Sequence, residues 1–220
     1  MSDSRRPGAK IGGAKVGVRT AGPRIGVIGG TFDPPHFAHL VLAQNALAQL
    51  ELDRVLFVPA GYPPHKPDAP ITPAHHRIAM VEAALADNSG FELSTVDMGR
   101  PGPHFTVDML RELKDSHPDH TYFFLMGGDS LAEFGMWRDP EGILAQAYLA
   151  VMQRPGWEAD VASLEKRLPH ISDRLLWLDT PLLEISGTDL RRRIAEGLPV
   201  RYLVPASVER YIRAHRLYRK

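Results

Sequence analysis

The chain contains no cysteine in 220 residues. That excludes disulfides, thiolate catalysis and Cys-ligated metals, and it fits a reducing compartment, so a cytoplasmic protein is expected. No apolar run approaches the roughly 20 residues a helix needs to cross a bilayer, so no membrane association is expected. Net charge is missing too: 26 Lys and Arg balance 26 Asp and Glu, which argues against a general nucleic-acid binder, since that would need a basic excess. The first 23 residues hold few large apolar groups and carry Gly8, Gly12, Gly13, Gly17 and Gly22 among Arg5, Arg6, Lys10, Lys15 and Arg19. A secretory signal would need an apolar core of about 7–15 residues. Residues 1–23 are therefore expected to form a flexible basic tail, and 24–220 a single domain with a core of its own.

Short apolar runs alternate with helix-periodic segments along the rest of the chain. Arg24–Ile28, Arg54–Val58, Phe91–Ser94, Thr121–Met126, Ala147–Met152 and Arg174–Leu178 read as strands. Helices are expected over Leu40–Leu50, from Thr72-Pro73 to about Asp87 with Ile78, Val81, Ala84 and Leu85 buried, over Val107–Lys114 behind a Thr106 cap, around Val161–Leu168, from Ser186 or Thr188 to near Gly197, and over Ala206–Tyr218. His75 and His76 are assigned to a solvated face, and Arg77 receives no role. This alternation predicts an α/β fold, a Rossmann-like open parallel sheet with helices on both faces.

The stretch Gly29-Gly30-Thr31-Phe32-Asp33-Pro34-Pro35-His36-Phe37-Ala38-His39-Leu40 joins the first strand to the first helix, where α/β proteins place ligands. Gly29 and Gly30 allow a ligand close to the backbone. Thr31 and Asp33 add short polar groups, and His36 and His39 are spaced to share one face of the first helical turn. Free N–H groups and the helix dipole make such a turn an anion site. Plain surface decoration and a zinc pair are the competing readings of the two histidines, but the full run is more specific than its parts and no further ligand sits at metal spacing.

Other candidates cluster after strands. Pro59–Pro67 is too proline-rich for regular structure and holds out His65 and Lys66. Amides at Val107 and Asp108, behind Thr106, could receive a carboxylate. Gly127-Gly128-Asp129-Ser130 reads as a tight turn that aims Asp129 at the same edge, with Trp137 and Arg138 in a segment broken by Gly135 and Pro140. In Ile185-Ser186-Gly187-Thr188-Asp189-Leu190-Arg191, Arg191 sits in a first turn, where an anion would explain a cation otherwise opposed by the dipole.

The Gly29–Leu40 run resembles the GxFDPxHxGH motif of nucleotidyltransferases that transfer a nucleoside monophosphate, with Ala38 where that family usually has Gly. Pro63–Pro67, the GGDS turn leading to Trp137, and Ile185–Arg191 follow in the order and spacing of its nicotinate-nucleotide adenylyltransferase branch, a resemblance that covers about residues 24–218. The resemblance implies ATP and nicotinate mononucleotide as substrates, deamido-NAD and pyrophosphate as products, and Mg2+ carried on the ATP phosphates with no protein metal site. It implies ATP contacts at Gly29, Gly30, Thr31, Phe32, Asp33, Gly127, Asp129, Ile185, Ser186, Thr188 and Arg191, with His36 and His39 catalytic. His65, Lys66, Thr106, Val107, Trp137 and Arg138 would meet the mononucleotide, Trp137 by stacking and Arg138 through its backbone amide. Phosphopantetheine adenylyltransferases, cytidylyltransferases and a non-catalytic nucleotide sensor remain the alternatives, and oligomeric state is left open.

Overall fold

A computed structural model describes residues 22–61, 71–99, 102–152, 160–181 and 183–219. His65, Lys66 and nearly all of the expected basic tail lie outside the described residues. The strands are β1 (Arg24–Gly30), β2 (Arg54–Pro59), β3 (Phe91–Leu93), β4 (Thr121–Gly127), β5 (Ala147–Met152) and β6 (Leu175–Leu178). The helices are α1 (Phe37–Gln49), α2 (Ala74–Leu85), α3 (Thr106–Ser116), α4 (Gly128–Glu133), α5 (Pro140–Gln146), α6 (Val161–Arg167), α7 (Ile171–Arg174), α8 (Gly187–Ala195) and α9 (Ala206–Ala214), with a 3-10 turn at Phe134–Met136.

Every pairing in the sheet is parallel, in the order β3-β2-β1-β4-β5-β6. Side chains alternate cleanly across it. Tyr122, Phe124 and Met126 of β4 enter the core under α3, α5 and α6, while Phe123 and Leu125 enter the core under α1 and α2. Two buried faces explain why β1, β4 and β5 read as continuous apolar runs. A third apolar cluster, around Met80, Leu190, Val204, Val208 and Ile212, seats α8 and α9 on α2.

The strand order reverses between β1 and β4, and ligands of open α/β sheets bind at such a switch point. Here the β1–β4 ladder ends at Val27 and Phe124, so 28–30 and 125–127 part from each other. The resulting crevice is bordered by the loops after both strands.

Several elements differ from the sequence reading. The 128–146 segment is largely helical, because Pro140 occupies the first turn of α5 behind the Asp139 cap, whose carboxylate accepts from Gly142 N–H at 2.9 Å. Thr106 is the first residue of α3, and Phe105 is the cap, without a side-chain bond. The last helix stops at Ala214, and Arg216 and Tyr218 adopt left-handed backbone at φ 51 and 62. On α2, Arg77 and Met80 are buried in place of Ile78, and His76 bonds the Tyr211 hydroxyl at 3.0 Å, so it is not a purely solvated group.

Candidate active site

The loop between β1 and α1 forms the floor of the crevice. Phe32 is buried in a left-handed conformation, φ 48, which turns the chain sharply before α1. Its ring lies under Gly30, where an added Cβ would sit 3.4 Å from it, and edge-on to His39 at 4.9 Å between centroids. His36 is the extended cap residue of α1 and His39 lies one turn on, with the two rings stacked 3.7 Å apart. The backbone N–H of His36 donates to His39 Nδ1 at 3.2 Å. An accepting Nδ1 fixes the tautomer: neutral His39 carries its proton on Nε2, the atom that can donate to an anion. His36 Nδ1 is buried and has no partner among the described residues.

Burial pushes the His36 imidazole down to about 4. Burial, then the His36 charge, holds His39 well below its ordinary value. Both rings are therefore neutral donors at neutral pH, not standing cations.

Asp33 holds the loop together from inside. Its Oδ1 accepts the Tyr218 hydroxyl at 2.6 Å, and its Oδ2 accepts Thr72 N–H at 3.2 Å. The buried guanidinium of Arg77 joins three segments of this edge: it donates to Thr31 O at 2.9 Å, Ala60 O at 2.8 Å, Gly61 O at 3.2 Å and Thr72 O at 2.9 Å.

The Ser/Thr–Arg segment meets this loop directly. Ser186 caps α8, accepting Asp189 N–H at 3.1 Å, which decides between Ser186 and Thr188. Arg191 Nη1 donates to Asp33 O at 2.8 Å, and its Nη2 reaches Thr188 Oγ1 at 3.3 Å. Close approach explains Gly187: a Cβ there would stand 3.0 Å from Asp33 O. Ile185 packs its side chain into the α8–α9 cluster. Two stretches more than 150 residues apart in sequence thus share one wall.

The other half of the crevice is a cavity of about 500 Å3 lined by Gly30, Thr31, His104, Thr106, Met136 and Trp137 among others. The Thr106 and Val107 amides precede the first bond of α3, Asp108 N–H to Phe105 O. Val107's side chain is core, so only its backbone can face a ligand. Trp137 stands half-buried, edge-on to Phe124 at 6.0 Å and tilted against Phe134 at 5.7 Å between centroids. Arg138 lays its guanidinium over the Phe105 ring at 4.8 Å. Across the switch point, Asp129 sits in the first turn of α4 with its carboxylate folded over Gly127, where a Cβ would be 2.5 Å from Oδ1. A side chain at Gly127 would displace this carboxylate.

The structure brings together Gly29–Asp33, His36, His39, Ser186, Thr188 and Arg191 on one side, and Thr106, Val107, Trp137 and Arg138 on the other, with Gly30 and Thr31 bordering both. Sequence reasoning missed Arg77, His104, Met136 and Tyr218. Only Arg77 had a local signal, since it falls in phase with Met80, Val81 and Ala84 on the buried stripe of α2. A larger cavity, about 670 Å3 between α8 and α9, touches none of these groups.

Among the described residues no group of three or more His, Cys, Asp or Glu could hold a metal, and no helix is long and apolar enough to cross a membrane. The carboxylate of the β1–α1 loop, Asp33, is engaged by Tyr218 and Thr72.

Residues 27–193 match the cytidylyltransferase-like family. The chain is 48% identical over 196 residues to a probable nicotinate-nucleotide adenylyltransferase of Thermomicrobium roseum, covering 89% of this chain and 92% of that one. A protein of the same description from Roseiflexus sp. is 44% identical over 195 residues, with 89% and 98% covered. The fold is also similar to a solved structure, Plasmodium falciparum nicotinic acid mononucleotide adenylyltransferase complexed with NaAD, at TM-score 0.73 and 20% identity over 90% of this chain and 98% of that one. The switch-point crevice, the paired histidines and these relatives agree: the chain belongs to the nicotinate-nucleotide adenylyltransferase family, within the cytidylyltransferase-like nucleotidyltransferases.

Proposed function

We propose that this chain, through a single domain spanning residues 24–220, transfers AMP from ATP to nicotinate mononucleotide, forming deamido-NAD and pyrophosphate in NAD biosynthesis. The observation that carries the reading is the bond from Arg191 to Asp33 O, which closes the α8 start onto the β1–α1 loop beside the Trp137 cavity.

The chemistry asks little of a general base. The nucleophile is a phosphate oxygen with a second pKa of about 6, so it is largely ionised near neutral pH. What remains is to align it with the α-phosphorus of ATP and to stabilise the charge that builds on the leaving pyrophosphate. The Gly29–Asp33 backbone and the amides and side chains of the Ser186–Thr188 turn hold the triphosphate from two sides, and Arg191 supplies a fixed positive charge. His39, through Nε2–H, and His36 donate to phosphate oxygens. Gly127 and Asp129 border the adenosine. Mg2+ on the phosphates would neutralise further charge.

Nicotinate mononucleotide occupies the adjoining cavity, with Trp137 against the pyridine ring. The Thr106 and Val107 amides receive the nicotinate carboxylate at the positive end of α3, and the Arg138 backbone amide adds to them. His65 and Lys66, which lie outside the described residues, are assigned to the mononucleotide phosphate on the resemblance alone. A carboxylate gains from that helix end what a neutral amide does not, so nicotinate is favoured over nicotinamide.

Pyrophosphate release from ATP with nicotinate mononucleotide, and identification of deamido-NAD, test the assignment. Rapid release with nicotinate and much slower release with nicotinamide mononucleotide is the expected pattern. Equal kcat/KM on the two would overturn the carboxylate assignment, and turnover only with phosphopantetheine or CTP would overturn the substrate.

A further inference from the structure

We infer that Tyr218, at the far end of the chain, is a positioning residue for the ATP half of the site, acting through Asp33; this rests on the adenylyl-transfer reading above. Asp33 stands three positions before His36, directly after left-handed Phe32, at 5% exposure. A carboxylate so buried must find its partners inside the protein. Its three bonding oxygens are all taken, by the Tyr218 hydroxyl at 2.6 Å, Thr72 N–H at 3.2 Å and Arg191 Nη1 at 2.8 Å on the backbone carbonyl. Asp33 is thus a joint between segments, and its carboxylate is not offered to the nucleotide.

Tyr218 is built to serve that joint. It lies beyond the end of α9 in left-handed backbone, which swings the chain back toward the crevice. Its hydroxyl also meets Met80 Sδ at 3.8 Å, so the phenol is held against α2. Burial first, then the Asp33 charge, push the phenol well above its ordinary value, so it remains a proton donor. The same C-terminal part of the chain grips the loop a second time, where Leu203 O accepts Phe37 N–H at 3.1 Å, in the first turn of α1. The loop that carries His36 and His39 is therefore clamped at Asp33 and at Phe37 by residues more than 160 positions away in sequence.

Tyr218→Phe keeps the ring and removes only the donor. Because small displacements of positioned groups cost large factors in rate, affinity for a non-hydrolysable ATP analogue and kcat/KM for ATP should each fall about tenfold. KM for nicotinate mononucleotide should stay within about twofold, because Tyr218 is not among the residues lining that half of the crevice. Asp33→Asn should give a similar ATP defect, and the double variant should be no worse than Asp33→Asn alone, the mark of two residues acting as one unit. Unchanged ATP parameters in Tyr218→Phe, equal losses on both substrates, or additive losses in the double variant would each overturn the inference. If the wild-type protein binds the analogue but makes no deamido-NAD, the proposed activity fails, and the analogue affinities still decide the role of Tyr218.

Discussion

The two halves of the crevice are built on opposite plans. The half we assign to the ATP phosphates is polar and buried: Asp33 is 5% and Arg77 1% exposed, and each is tied by several bonds to other segments. The half we assign to the mononucleotide is lined by aromatic rings, backbone amides and the open flank of Met136, which is 73% exposed. The difference follows from the task of each. Charge develops on phosphate oxygens during transfer, so donors there must be in place beforehand. A ring and a carboxylate that do not react need only shape and a favourable helix end.

The plan for the phosphate half is broken most severely at Arg77. Arg77→Met leaves the carbonyls of Thr31, Ala60, Gly61 and Thr72 without this donor. These carbonyls are part-buried and each so stranded costs up to about 1–3 kcal/mol, so a loss of about 3 kcal/mol and roughly 10 °C in Tm is expected, together with most of the activity. Thermal unfolding and turnover check this; a variant of native stability would show that the three loops hold their places without the guanidinium.

Next comes His39→Ala. Losing one fixed donor should lower kcat by roughly 100-fold or more, with unfolding little changed. A near-normal rate would remove His39 from the chemistry and leave the phosphate half as a binding site only.

The mononucleotide half should respond more gently. Trp137→Ala should raise KM for nicotinate mononucleotide about tenfold while leaving KM for ATP alone, the value of one ring contact. Thr106→Ala should change both by less than about twofold if, as proposed, the backbone amide and not the hydroxyl meets the carboxylate. A large Thr106→Ala effect would mean that this half, too, relies on fixed side-chain donors.

A separate effect falls on stability against pH. His36 titrates near 6.5 when unfolded but at about 4 when folded, so between those values the unfolded chain binds more protons. The native state therefore loses stability as pH falls from 6.5 towards 4, by up to roughly 3 kcal/mol from this residue, and gains nothing from it above that window. His39 acts in the same direction. Urea midpoints for wild type and His36→Asn should diverge across this window, the variant falling less steeply. Parallel curves would contradict a neutral buried imidazole.

What the sequence made legible follows the same division. Strands buried on both faces, such as 121–126, show as unbroken apolar runs, and the histidine loop and the Ser186–Arg191 start were visible because their chemistry is contiguous. The helical character of 128–146 was hidden by Gly135 and Pro140, which read as breakers although Pro140 starts α5. Asp139-Pro140 was the available clue. Tyr218 and His104 gave no local sign, since a hydrogen bond spanning 185 positions leaves no period in the sequence. The half of the site built from backbone amides is faint for the same reason: a helix start offers its N–H groups whatever its side chains are.

Neutral, partly desolvated imidazoles could in principle attack phosphorus themselves, and direct transfer from one nucleotide to the other is the claim on which the rest depends. The configuration at phosphorus distinguishes them most directly. With ATP carrying a single chiral α-phosphorothioate, in-line attack by nicotinate mononucleotide gives one displacement and inversion at the α-phosphorus. Inversion is the expected result; retention would require a covalent adenylyl intermediate on the protein and would contradict the account.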